Sequence, residues 1–182
     1  MKRLILMSAI AAAATAVQAQ DNTTTAPQNT EITAKNAWLK VGLNAGLPVG
    51  DASAISILTI GADIRGQFMS TRHFGLGLAT GYNHYFGDDP VPDFGAIPLA
   101  LMLRYYPKAQ GIFVGADIGY SFFTNVPGLT GGFTVKPQVG YHNYDWNFFA
   151  FYNHIFTASP ADDVQSVGIT AAYNVRFNRN RK

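Results

Sequence analysis

The stretch His73-Phe74-Gly75-Leu76-Gly77-Leu78-Ala79-Thr80-Gly81-Tyr82-Asn83-His84-Tyr85-Phe86 decides the fold. Phe74, Leu76, Leu78, Tyr82 and Phe86 fall on one parity, and Gly75, Gly77, Ala79, Gly81 and Asn83 on the other. Successive side chains of a strand point to opposite faces. The segment is therefore a strand with one bulky apolar face and one small or polar face, broken on the bulky side by Thr80 and His84. A soluble barrel would fill a compact core with the bulky set. Here the opposite set holds glycine and alanine and, on other segments, charges. Apolar outside and polar inside describes a barrel whose solvent is lipid.

Working outward, the same alternation places strands at 37–49, 55–68, 73–86, 94–106, 111–123, 132–142, 146–156 and 167–177. Closed bacterial outer-membrane barrels have an even strand number, and eight satisfies that. The fold class expected is all-β: an eight-stranded antiparallel up-and-down transmembrane β-barrel. Connections after the second, fourth and sixth strands are short, and those after odd strands are longer, as at 87–93. Short turns inside and longer loops outside are the outer-membrane rule. On the fourth strand, Ile97, Leu99, Leu101, Leu103 and Tyr105 oppose Ala96, Pro98, Ala100, Met102 and Arg104. The seventh strand is apolar on both faces, so the pattern does not set its phase. No long-period repeat is evident beyond the hairpin rhythm. The outward aromatics nearest the short-turn rim are Trp38, Phe68, Phe74, Tyr105, Tyr141 and Phe177, the expected interfacial girdle.

The flanks fit that setting. A basic start, an apolar run over 4–17 and Val17-Gln18-Ala19 before Gln20 read as a secretory signal peptide over 1–19. Residues 20–36 are polar, Thr-rich and non-periodic, a flexible lead-in; the barrel domain is expected over 37–178 and a basic tail over 179–182. The chain has no cysteine, which excludes lipoprotein attachment, disulfides and thiolate zinc sites. Its net charge is +2, and loss of Lys2 and Arg3 brings it close to neutrality, so nothing points to a nucleic-acid partner. The apolar run is too short for a spanning helix, so the membrane reading rests on strands.

Three stretches resemble a known group. Val41-Gly42-Leu43-Asn44-Ala45-Gly46-Leu47-Pro48-Val49-Gly50-Asp51 looks like the opening strand of small outer-membrane barrels. Ile97-Pro98-Leu99 through Arg104-Tyr105-Tyr106-Pro107 is similar to their strand-to-turn pattern. Tyr173-Asn174-Val175-Arg176-Phe177 looks like the strand-end signal read by the barrel-assembly machinery, with five further residues behind it. The chain thus resembles the OmpX/OmpA-type outer-membrane β-barrel superfamily over nearly its whole mature length. The resemblance implies architecture strongly and activity hardly at all. It implies insertion by the barrel-assembly machinery and contact with outer-membrane lipids and lipopolysaccharide.

Candidate chemistry lies in the lumen. Lys40, Asp63, Arg65, Arg104, Asp117, Lys136 and Arg176 all fall on the inward parity, with Gln67 and Gln138 beside them. An eight-stranded barrel is just wide enough for side chains to fill. An isolated buried charge costs several kcal/mol, so these charges must pair. Asp117 with Lys136, and Asp63 with Lys40, are expected at similar heights. The first reading is a structural ion network that plugs the barrel; the alternatives are a narrow solute channel favouring anions and, less favoured, a lipid A-modifying enzyme. Lipid A deacylases of this architecture carry His-x-Ser on a strand, which is absent here. His84 and His154 sit near the outer rim on strands four apart, and His154 with Ser159 and Asp162 is the least poor catalytic set. No catalytic residue and no cofactor are assigned. The outer loops hold Asp51, Asp88, Asp89, Asp93, Asp162 and Asp163 and no lysine or arginine. Asp88, Asp89, Asp93, Asp162 and Asp163 are therefore candidate carboxylates for a divalent cation bridging to lipopolysaccharide phosphates.

Overall fold

A computed structural model describes residues 38–71, 73–108, 110–143, 145–159 and 163–175. Eight strands follow one another: β1 (Trp38–Val49), β2 (Ser56–Met69), β3 (Phe74–Gly87), β4 (Phe94–Tyr105), β5 (Gly111–Thr124), β6 (Gly131–His142), β7 (Trp146–Phe156) and β8 (Val164–Val175). Each pairs antiparallel with its neighbour in sequence, and β1 pairs with β8 from Leu39↔Val175 to Val49↔Gln165, closing the barrel. Closure leaves no open sheet edge, which the lipid phase requires. A 3-10 turn, Gly50–Ala54, occupies the β1–β2 loop. β8 begins earlier than the alternation placed it because Gln165 and Ser166 pair with Val49 and Pro48.

The alternation becomes two surfaces. Outward side chains such as Leu43, Ile169 and Leu101 are 71%, 67% and 63% exposed, while inward Phe113 and Met102 are fully buried. A belt of bare aliphatic side chains this continuous is not a water-facing surface; it is the lipid face of a spanning barrel. Rings flank it at both ends. Phe68, Phe74, Tyr141, Trp146 and Tyr173 are exposed toward the short-turn rim, and Tyr82, Tyr120, Phe122, Phe133 and Phe156 toward the loop rim. Phe74 packs on Tyr105 at 5.0 Å between centroids. Of the girdle expected from sequence, Phe177 and the side chain of Trp38 lie outside the described residues.

The structure sets the phase of β7. Asn147, Phe149, Phe151, Asn153 and Ile155 point inward; Trp146, Phe148, Ala150 and Phe156 point outward. Its two apolar faces have different causes. The outer one meets lipid, and the inner one fills bore left empty by small residues on β8. A Cβ at Gly168 would collide with the Ala45 carbonyl and sit 2.6 Å from the tip of the Phe151 ring, so glycine is needed for the close approach of both.

Two prolines interrupt the ladders. β3–β4 pairing runs to Thr80↔Leu99 and resumes at Asn83↔Ala96, skipping Pro98. β6–β7 pairing runs from Val135↔His154 to Gln138↔Phe151, skipping Pro137. Proline has no N–H to give the ladder. Both gaps lie beside a tyrosine, Tyr82 on β3 and Tyr152 on β7.

Candidate functional site

The inward parity of β1, β2, β4, β5 and β6 brings Lys40, Asp63, Arg65, Arg104, Asp117 and Lys136 into the bore, none more than 8% exposed. Arg65 is the bridge. Its Nη1 donates to Asp117 Oδ2 at 2.6 Å and its Nη2 to Asp63 Oδ2 at 3.2 Å. Asp117 stands on β5, three strands from β2, so the bond crosses the lumen. Lys136 Nζ lies 3.9 Å from the same Asp63 oxygen. Both carboxylates occur in a Gly-Ala-Asp-Ile tetrapeptide, at 61–64 and at 115–118, which puts the same inward Asp on two walls.

The pairing differs from the simplest neighbour scheme. Asp117 is opposite Lys136 in the β5–β6 register, yet the ammonium reaches across to Asp63 on β2. Lys40 is opposite Arg65, not Asp63, because the β1–β2 register sets Gly42 against Asp63. Its Nζ donates instead to Asn147 Oδ1 at 3.0 Å and to the Tyr106 hydroxyl at 3.2 Å. Arg176 lies outside the described residues.

Aromatic faces take up part of the remaining positive charge. Arg104 Cζ stands 4.4 Å from the Phe113 centroid and 4.7 Å from that of Phe149; its Nη2 donates to Gln138 Oε1 at 2.7 Å. Lys136 Nζ is 3.9 Å from the Phe151 centroid, and Arg65 Cζ is 5.1 Å from that of Phe149. A cation over a ring face gains about 0.5–2 kcal/mol when desolvated. Tyr106, just past β4, turns inward and donates to Gln67 Oε1 at 2.8 Å, closing a polar layer with Asn147, whose Nδ2 donates to Asn174 Oδ1 at 2.8 Å. Strand parity put Phe113 on the inward face with Asp117 but gave it no role, and the sequence reading assigned none to Tyr106, Asn147, Phe149 or Phe151.

Toward the loop rim the bore is neutral. Thr134 donates to Asn153 at 3.1 Å, and the Tyr85 hydroxyl faces Ser166, Asn153 and Thr59. Above it, Tyr85 stacks on Phe94 at 4.7 Å, with Ala52, Ala96, Ile155 and Val164 packed around the pair. Small voids lie among these side chains. One of about 20 Å3 is bordered by Asp63, Arg65, Asp117 and Lys136, and one of about 10 Å3 by Asn44, Thr59, Tyr85 and Ser166. Spaces of that size hold about one water each.

The loop carboxylates separate. Asp88 and Asp89 lie in the exposed β3–β4 loop, and Asp162 lies outside the described residues. Asp93 and Asp163 are engaged by histidines: His84 Nε2 is 3.1 Å from Asp93 Oδ2, and His154 Nε2 is 3.0 Å from Asp163 Oδ2. The structure thus gives His154 the partner Asp163, while the Ser159 carbonyl accepts from the Thr157 hydroxyl at 2.7 Å. Among the described residues no three His, Asp or Glu side chains converge as metal ligands. Hydrogen bonding from the Gly87 amide, then from His84, holds the Asp93 carboxyl below its ordinary range. For Asp163, partial burial pushes upward and is outweighed by the Thr157 amide and His154, with the same net direction.

No family model matches the chain, and no curated protein matches it in sequence. Solved structures do match in shape. The chain is similar to Neisserial surface protein A with a TM-score of 0.58 at 12% identity, covering 78% of this chain and 97% of that one. It is similar to Ail, the attachment invasion locus protein of Yersinia pestis, with a TM-score of 0.54 at 10% identity and the same coverage. A second structure of Ail, in complex with the heparin analogue sucrose octasulfate, gives 0.51 at 12% identity, again over 78% and 97%. Strand number, closure, the lipid-facing belt and these likenesses agree on one architecture: the eight-stranded outer-membrane β-barrel.

Proposed function

We propose that this protein is a non-enzymatic, non-conducting barrel of the bacterial outer membrane whose role is structural or interactive, stabilising the membrane or docking a partner from its outer rim. The observation that carries the reading is the Arg65 bridge, which ties Asp63 on one wall to Asp117 on the other with bonds of 3.2 and 2.6 Å. A buried pair of this kind is costly to break, since loss of one partner strands a desolvated charge. Ring faces on Arg104 and Lys136 add bulk to the charged layer, and the void bordered by Asp63, Arg65, Asp117 and Lys136 is water-sized. Acyl-chain chemistry would need a positioned base and nucleophile at the outer rim, and both rim histidines are committed to aspartates. In this reading residues 1–19 export the chain, the barrel-assembly machinery inserts it, and lipopolysaccharide surrounds its outer half.

Planar-bilayer recording of the refolded full chain tests the plug. No steady conductance is expected. Stable channels whose ion selectivity changes in Lys136→Glu or Arg104→Glu would replace the plug with an anion-favouring pathway. Incubation with lipopolysaccharide should leave its acyl composition unchanged by mass spectrometry; an acyl change lost in His154→Ala or His84→Ala would make the protein an enzyme.

A further inference from the structure

The inward side chains of single strands stack as layers. From the loop rim to the short-turn rim, β7 presents Ile155, Asn153, Phe151, Phe149 and Asn147. In the same direction β5 presents Phe123, Ser121, Asp117 and Phe113. Both strands run from apolar through polar to apolar again. Packing gathers the apolar positions into two separate clusters. The outer one holds Ala52, Tyr85, Phe94, Ala96, Ile155 and Val164, and the inner one Met69, Tyr106, Phe113, Phe149, Phe151 and Ala172.

Between the clusters the bore is polar and incompletely satisfied. Asp117 Oδ1 and Arg65 Nε have no hydrogen-bond partner among the described residues, although both side chains are almost fully buried. Both residues border the void of about 20 Å3. The void of about 10 Å3 shares Asn83, Lys136 and Asn153 with it, so the two abut. An unpaired buried polar group costs about 1–3 kcal/mol. A water with several polar neighbours removes that cost, and these polar-lined spaces are large enough to admit one.

The two clusters are built differently. The inner one is a floor of strand residues, save Tyr106 one position past β4. Arg104 is wedged between its Phe113 and Phe149 rings, at 4.4 and 4.7 Å from their centroids. The outer one is a lid. Its centre is the stack of Tyr85 on Phe94, and Phe94 is the first residue of β4. Ala52 and Ile55 of the β1–β2 connection and Val126 of the β5–β6 connection pack on it. Connections are the more mobile parts of a fold.

We infer that the middle of the bore is a hydrated blind well: water reaches Asp63, Arg65, Asp117 and Lys136 from the outer face, past the Tyr85–Phe94 lid, and stops at the Phe113–Phe149 floor. An apolar constriction excludes water and ions by dewetting, which a polar one does not. The Arg65 bridge braces the walls, and the floor is the barrier to ions. The inference rests on the closed-bore reading proposed above.

NMR of the full chain in nanodiscs tests it. In the unaltered chain, magnetisation transfer from water should reach Thr134 and the Asn153 side-chain amide and should not reach the Phe113 or Phe149 rings. Exchange of the Asn153 side-chain amide in D2O is then measured relative to the β5 backbone amides, which report opening of the whole barrel. It should speed about tenfold or more in Phe94→Ala and no more than about twofold in Phe149→Ala or Lys136→Met. Phe149→Ala removes the same ring as Phe94→Ala, from the floor instead of the lid. Water contact at the floor rings, none at Thr134 and Asn153, no acceleration in Phe94→Ala, or an equal acceleration in Phe149→Ala or Lys136→Met would overturn the well. Planar-bilayer recording separates the two readings. Steady conductance of the unaltered chain would sink both, and a silent barrel with any of those results would sink the well alone.

Discussion

Arg65 and Arg104 are equally buried, at 1% and 2% exposure, and live in opposite chemistry. Arg65 spends its guanidinium on two carboxylates, one of them across the bore. Arg104 has an amide oxygen and two phenyl faces, and its Nε and Nη1 find no hydrogen-bond partner. Gly115 makes that berth possible, since a Cβ there would come within 3.0 Å of Arg104 Cγ. Burial alone therefore says little about what a lumen charge does. One arginine cross-braces the barrel, and the other occupies volume between rings.

The largest expected effect breaks the brace. Arg65→Met should strand Asp63 and Asp117 in a low-dielectric bore and lower stability by about 3–5 kcal/mol, read as a shifted midpoint of urea unfolding in detergent. A loss under 1 kcal/mol would mean that Lys136 and internal water already satisfy both carboxylates, and the cross-brace would lose its meaning.

Next comes the contrast between lumen and lipid face. Leu101, 63% exposed at the middle of β4, meets acyl chains, and Leu101→Arg should cost about 2–4 kcal/mol and impair assembly. Ser159→Arg in the β7–β8 loop should be tolerated. Equal tolerance at both positions would invert the face assignment on which the fold reading stands.

These faces were legible in the sequence because side-chain parity is a property of each strand by itself. Strand ends fell within a few residues for the same reason. Parity put Lys40, Asp63, Arg65, Arg104, Asp117 and Lys136 inside, and nothing local could say who meets whom. Asp63–Lys136 and Arg65–Asp117 are contacts across the bore, fixed by closure and inter-strand stagger, not by neighbouring strands. The phase of β7 escaped because its inward rings mimic a lipid face. The His84–Asp93 and His154–Asp163 contacts escaped because each bond spans a loop, where strand periodicity carries no information.

A smaller effect is expected in the neutral outer half. Tyr85→Phe keeps the stack on Phe94 and removes one hydroxyl among Thr59, Asn153 and Ser166. Loss of one buried hydrogen-bonding group should cost about 0.5–1.5 kcal/mol in the same unfolding measurement. A cost near that of Arg65→Met would move the brace of the barrel from its charged middle to its cap.

The smallest effect sharpens the comparison most. Arg104→Met removes the hydrogen bond to Gln138 and the contacts with Phe113 and Phe149, worth about 0.5–2 kcal/mol for the ring faces. It also removes a desolvated charge that makes no salt bridge to a described carboxylate and feels Asp117 only at longer range, and whose burial costs several kcal/mol before compensation. Met reaches a similar depth and suits the same ring-lined berth. The two contributions oppose each other, and the net change should fall within about 1 kcal/mol of zero, with a gain in stability as consistent as a small loss. Arg65→Met offers no such offset, because its removal exposes two unbalanced negative charges where Arg104→Met exposes none. Similar large losses in both variants would show that the positive charge of Arg104 is itself held by the Asp63–Asp117 pair at longer range, and the bore would then act as a single electrostatic unit.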